Sequence, residues 1–275
     1  MNINNFYLID KPVISSFDII RKLRKITNIK KMHTTLDPLA SGLVLLAFNY
    51  TKLIPYFEKD IKEYEFKINL NTTPTFDLEY SPELISDILQ EKYKKELKIE
   101  EIKEILKNKF SKIFQIPPKY SAIKIKKALD MARNEEFEMK KREVIIYNIE
   151  IISYNYPELF LKALVSATYI RSIANDLYII TYITHLKRIK IGNIDFSYSQ
   201  QIDNFDINKK LDIEELFKNK KMFYIDDNNI LKDINNKVIE NIFSLDDKEE
   251  IFIKNKDDIT NILICKNQIY PERKI

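Results

Sequence analysis

The chain has 275 residues with a formal net charge of +4 and a single cysteine, Cys265, which excludes an internal disulfide framework and a cysteine-based metal cluster. Its 45% hydrophobic content is enough for a packed core, yet no apolar run approaches the length of a membrane span. The start, "MNINNFYLID", lacks the charged-then-apolar layout of a secretion signal, so a reduced, cytoplasmic protein is expected.

Charge and glycine are both unevenly used. Residues 1–200 carry 32 basic against 25 acidic side chains, and residues 201–275 carry 13 against 16. A basic body with a slightly acidic tail points weakly to a polyanionic partner for the first part. There are only 2 glycines, where ordinary usage would place about nineteen. An AT-rich gene would depress glycine and proline together, but 9 prolines remain.

In chain order, "FYLIDKP" predicts a short strand ending at Pro12. Ser15 or Ser16 can cap a helix in which Ile19, Ile20, Leu23 and Ile26 share a face opposite Arg21, Lys22, Arg24 and Lys25. After the polar stretch "KKMHTTLDPLASG" come a buried strand, "GLVLLAF", and a helical turn, "TKLIPYFE". "EYEFKINL" alternates Tyr64, Phe66, Ile68 and Leu70 with charged or polar residues, the pattern of a half-buried strand. Residues 99–110 form an amphipathic helix. "QIPPKYSAIKI" is a proline-stiffened loop entering a strand, and "ALDMARNEE" a short helix. "REVIIYNIEIISY" and "LFLKALV" read as adjacent antiparallel strands, and "YIRSIANDLYIITYI" as helix. Residues 203–229 have the composition of a linker, and 230–275 carry short strands such as "EEIFI" and "NILIC". Strands and helices mix without βαβ alternation, which predicts an α+β fold around a mixed, largely antiparallel sheet.

Four stretches in order resemble one family. "LIDKPVISSFDIIRKLRK", "HTTLDPLASGLVLLAFNYTKL", "FQIPPKYSAIKI" with "ALDMAR", and "SATYIRSIANDL" with "LKRIKIG" are similar to the motifs of bacterial TruB-type tRNA pseudouridine-55 synthases. The likeness runs over roughly residues 6 to 196. It implies the pseudouridine synthase fold, with residues 1–202 as catalytic domain, 203–229 as linker and 230–275 as a small PUA-like segment. It also implies a uridine in the T loop of tRNA as substrate, no metal or other cofactor, and a monomer.

The resemblance makes Asp37 the essential carboxylate and Arg171 the cation that keeps it ionised and aligned. Tyr64 follows the Lys62-Glu63 pair; as a catalytic residue it would stack on the extruded uracil, and its hydroxyl could take part in the C5 proton transfer. Tyr169 would contact the uridine, and His33 would fill the space the base leaves, offsetting part of the cost of extrusion. Leu186 would pack on the target base; Lys187 follows it where the family has arginine and keeps the charge without the guanidinium fork. Lys11 and Lys124 are motif lysines for which structural support and phosphate contact are equally open. Without the motifs, Asp37 before Pro38 would read as turn chemistry and Tyr64 as core. Two rival functions are a tRNA-binding folding chaperone without required catalysis and a guide-dependent RNA-particle synthase of the same superfamily.

One departure from the family pattern is systematic. Where the motifs carry glycine, this chain mostly has no residue at all: between Val13 and Ile14, before His33, between Thr34 and Thr35, between Phe48 and Asn49, and between Ala167 and Thr168. Drift replaces glycines rather than excising them singly. A codon read as glycine in the source organism, and passed over in this sequence, would produce the pattern and leave Gly42 and Gly192 in place; the alternative is a protein that is itself poor in glycine. The chain without these glycines is expected to be inactive or poorly folded.

Overall fold

The computed structural model describes residues 4–70, 97–108, 112–115, 141–166, 168–170, 173, 182–225, 250–255, 258–266 and 268–274. Apart from Gln115, the loop, strand and helix expected from "QIPPKYSAIKI" and "ALDMARNEE" lie outside these residues, as do Lys124 and Arg171.

Strand β1 (Asn5–Lys11) pairs antiparallel with β3 (Ser41–Phe48) along its whole length, from Asn5 opposite Phe48 to Lys11 opposite Gly42. Both strands bury both faces, which is why "GLVLLAF" is a continuous apolar run rather than an alternating one. One face packs Tyr7, Ile9, Val44 and Leu46 against Ile19 and Leu23 of helix α1 (Ser16–Thr27). The other sets Phe6, Leu43 and Leu45 against Ile54 and Phe57 of α2 (Ile54–Phe57). Ser15 caps α1, its side chain accepting from the Asp18 amide, and Asn28 closes the helix in the left-handed conformation at φ 58°.

The second half of the sheet is built on β4 (Lys62–Asn69), whose Tyr64, Phe66 and Ile68 face inward as the alternation predicts. It pairs antiparallel with β7 (Glu158–Val165), and β7 with β6 (Arg142–Asn155). Helix α3 (Ile99–Asn108) covers this half through Ile102 and Leu106, and β5 (Lys112–Gln115) extends it beyond β6.

The halves are joined by β8 (Tyr182–Ile191), which takes up the end of the stretch expected as helix. It hides from a search for apolar alternation because His185, Lys187, Arg188 and Lys190 lie along it. β8 pairs with β4 along its length but with β3 at two positions only, Ser41 opposite Lys187 and Gly42 opposite Arg188. The short strands β2 (Met32–His33) and β9 (Ser199–Gln201) complete a nine-stranded mixed sheet among the described residues.

Within the stretch expected as a linker, Leu211, Leu216 and Phe217 are buried against Phe6 and Phe57. Helix α4 (Ile213–Leu216) and β10 (Lys221–Tyr224) lie there. β10 begins a separate four-stranded sheet with β11 (Glu250–Asn255), β12 (Asp258–Lys266) and β13 (Gln268–Lys274). Phe252 stacks edge-on against Phe217 and Tyr56, and the Ile259 amide donates to the Tyr50 hydroxyl, so this sheet leans on the same apolar cluster as β1 and β3.

Candidate active site

Asp37 sits where the two halves of the sheet meet. Asp37-Pro38-Leu39-Ala40 is a hydrogen-bonded turn: the Ala40 amide donates to the Asp37 carbonyl at 3.1 Å, and the Leu39 amide donates to Asp37 Oδ1 at 3.1 Å. Proline is suited to the second position of such a turn because its φ is already set. The aspartate therefore does serve turn chemistry, and it does so at a half-exposed position with Pro38 and Leu39 open to solvent.

The turn is held from three sides. Ser16, at the start of α1, clasps Leu36: its Oγ donates to the Leu36 carbonyl at 3.0 Å and accepts from the Leu36 amide at 3.2 Å. Lys11, at the end of β1, is fully buried, and its Nζ donates to the carbonyls of Pro12, Asp37, Pro38 and Ala40. Arg188, from β8, donates from Nε to the Leu43 carbonyl at 2.7 Å and from Nη2 to the Thr35 carbonyl at 3.0 Å. Burial pushes the Lys11 ammonium down to about 8, with Asp37 opposing and Arg188 adding to the fall.

A third buried cation stands close by. Lys62 donates to the carbonyls of Phe57, Glu58 and Asp60 at 3.1, 2.8 and 2.9 Å. Burial and the neighbouring Arg188 charge push it down to about 7. Thr35, Glu58, Lys62 and Arg188 together line a small gap behind the Asp37 turn.

The other motif residues fall around this centre at different depths. Tyr64 is opposite Arg188 in the β4–β8 register and 7% exposed, packed in the cluster that Leu36 and Leu186 border. The Leu186 carbonyl accepts from Ser41 Oγ at 3.4 Å. Tyr169 is fixed through its backbone: its amide donates to Gln115 Oε1 at 3.1 Å and its carbonyl accepts from Gln115 Nε2 at 3.3 Å. His33 lies farther out, opposite Ala47, five positions along β3 from Gly42. A separate groove, lined by Asn28, Lys30, Lys31, Asn49 and Phe205 among others, contains none of the candidate site residues.

Two residues in this arrangement escaped the sequence: Gln115, a buried side chain acting as a backbone surrogate, and Arg188, which stands in "LKRIKIG" as one cation among several. Arg188 differs from its neighbour Lys187, whose ammonium lies 4.6 Å over the Phe196 ring.

Four of the five junctions where a residue is wanting carry a local mark. The Ile14 amide reaches back to the Pro12 carbonyl at 2.7 Å, and the Tyr50 amide to the Phe48 carbonyl at 2.7 Å, so both are three-residue γ-turns. Asn49, at the centre of the second, has φ 59°. The hydroxyls of Thr34 and Thr168 are buried without a hydrogen-bond partner. The fifth junction falls inside β2 and shows no such mark.

The architecture of the described residues, a mixed sheet with few helices, is that of the pseudouridine synthases. Solved structures agree with it: the crystal structure of a Cbf5–Nop10–Gar1 complex superposes with a TM-score of 0.69 at 17% identity, covering 95% of this chain and 78% of the other. The archaeal box H/ACA Nop10–Cbf5 complex gives 0.69 at 16%, covering 98% and 85%.

Sequence relatives define the branch. Residues 24–170 match the family model of the TruB family pseudouridylate synthase N-terminal domain. The tRNA pseudouridine synthase B of Clostridium tetani is 37% identical over 209 residues, 72% of this chain and 70% of its own. That of Mycoplasma mycoides subsp. mycoides is 32% identical over 280 residues, 96% and 92% of the two chains. The chain belongs to the TruB family of pseudouridylate synthases. Against the Borreliella burgdorferi relative the alignment spans 245 residues while covering 82% of this 275-residue chain, so part of it faces positions where this chain has no residue.

Proposed function

We propose that the protein isomerises uridine 55 in the T loop of tRNA to pseudouridine, with Asp37 as the essential carboxylate. The reaction breaks the bond between uracil N1 and the ribose, turns the base, and joins C5 to the same sugar carbon; the C5 proton leaves, and N1 gains one. The observation that carries this is the fixing of the Asp37 turn by Lys11, Ser16 and Arg188. A carboxylate at a reacting carbon needs placement to about 1 Å, and a turn bound directly by Lys11 and at its flanks by Ser16 and Arg188 suits that need. The names of the relatives supply the RNA substrate.

Around Asp37, Tyr64 and Leu186 would flank the extruded base, Tyr169 would contact the uridine, and His33 would occupy the vacated stack. Arg171 is proposed as the cation paired with Asp37, and Lys124 as a contact to RNA. For Lys11, complete burial and four carbonyl partners support the structural role over phosphate contact. A cytoplasmic monomer, acting without a cofactor, is part of the same proposal.

The test is tritium release from tRNA labelled at uridine C5, run on the chain as it stands and on a form with glycine restored at the five junctions. Release from either form, abolished in its Asp37→Asn variant with tRNA binding retained, is the expected result. Tight tRNA binding without release from either form would favour the chaperone reading and sink the catalytic one.

A further inference from the structure

We infer that Arg188 is a positioning residue for the Asp37 turn: its guanidinium ties together the two ends of the loop that carries the carboxylate. The inference rests on Asp37 being the reacting group. Four contacts meet at this residue. Its side chain reaches Thr35, two residues before Asp37, and Leu43, the first residue after Gly42. Its backbone faces Gly42 in the two-residue pairing of β3 with β8, and Tyr64 in the pairing of β8 with β4. A displacement of Arg188 therefore moves the Asp37 loop relative to both Tyr64 and Leu186.

The geometry suits arginine. The Thr35 and Leu43 carbonyls are bound by different nitrogens of one planar group, and a guanidinium offers five donors in a fixed fork. A lysine at this position would keep the charge but offer one nitrogen where Arg188 uses two. Arg188 is 6% exposed, so its charge is not displayed to a nucleic acid backbone. Its guanidinium donates to two neutral backbone carbonyls that flank the Asp37 turn, which marks it as a brace rather than a phosphate ligand.

The experiment compares Arg188→Lys with the parent in the form that releases tritium. The turnover number is expected to fall about 100-fold, the cost of a displacement near 1 Å, while KM for tRNA stays within about threefold, since no substrate contact is lost. In Arg188→Ala, added guanidinium ion should recover part of the turnover. Hydrogen exchange at the Leu36, Leu39 and Ala40 amides should quicken in Arg188→Lys, with α1 unchanged. That measurement needs no catalysis, so it separates failure of this inference from failure of the assigned reaction. Unchanged exchange in the 35–43 loop would overturn the brace. So would a rise in KM at full turnover, which would make Arg188 an RNA contact.

Discussion

The two ends of β3 solve the same problem with different material. At one end the chain leaves the Asp37 turn and passes Arg188 so closely that only glycine fits: Gly42 has φ 96°, and a Cβ there would lie 2.2 Å from the Arg188 carbonyl oxygen. At the other end the chain must also reverse, but there is no glycine, and Asn49 takes the left-handed conformation in a γ-turn. The first end is surrounded by Lys11, Lys62 and Arg188; the second opens onto a solvent groove. Gly42 is kept where backbone meets backbone at the site, and at the Phe48–Asn49 junction a tighter turn stands in place of a glycine.

The sharpest way to break this contrast is Gly42→Ala. The added methyl cannot be accommodated by a rotamer change, because its neighbours are backbone atoms of Arg188. Strand β3 must separate from β8 at its only two paired positions. Turnover is expected to fall by about 100-fold or more, with stability reduced by more than about 2 kcal/mol. Urea denaturation and tritium release on the same preparation would check both. A variant as stable and active as the parent would show that the meeting of β3 and β8 does not place Asp37.

Much of this was legible beforehand, and the illegible part has a physical cause. β1, α1, β3, β4, β6 and β7 follow from apolar periodicity and from Ser15, because burial on one or both faces imprints a period. The Asp37 turn was visible as Asp-Pro chemistry. β8 was not, because a strand that delivers cations to a buried centre breaks the alternation that reveals strands. Gln115 was invisible for a related reason: its role is to replace backbone partners of Tyr169, and no local pattern encodes a contact across 54 residues.

The charged end also predicts a pH dependence. Lys62 is pushed down to about 7, below its ordinary value of 10.5, mainly by burial and then by Arg188. Between those two values the unfolded chain holds a proton that the folded chain has released, so stability rises with pH across that window. In Lys62→Met this contribution disappears. The stability of the parent minus that of the variant should therefore grow between pH 7.5 and 9.5, by an amount on the order of 1–3 kcal/mol. Urea midpoints at the two pH values measure it directly; a constant difference would mean that Lys62 stays charged when buried.

The smallest expected effect lies at the other end of the strand. One glycine inserted between Phe48 and Asn49 would lengthen the γ-turn to four residues and release Asn49 from its forced φ. A left-handed residue with a side chain costs roughly 1–2 kcal/mol, and asparagine carries less of that cost than most residues. A gain of about 1 kcal/mol is expected, a rise of a few degrees in Tm for a chain of this size. An inserted alanine should give none of it, because the new position also needs positive φ. Equal behaviour of the two insertions would mean that turn length, not glycine, is what this junction wants. Sequencing the gene across residues 48 and 49 then decides the matter from the other side: an extra codon there makes the four-residue turn the native one, and its absence makes the strained asparagine turn a real property of the chain.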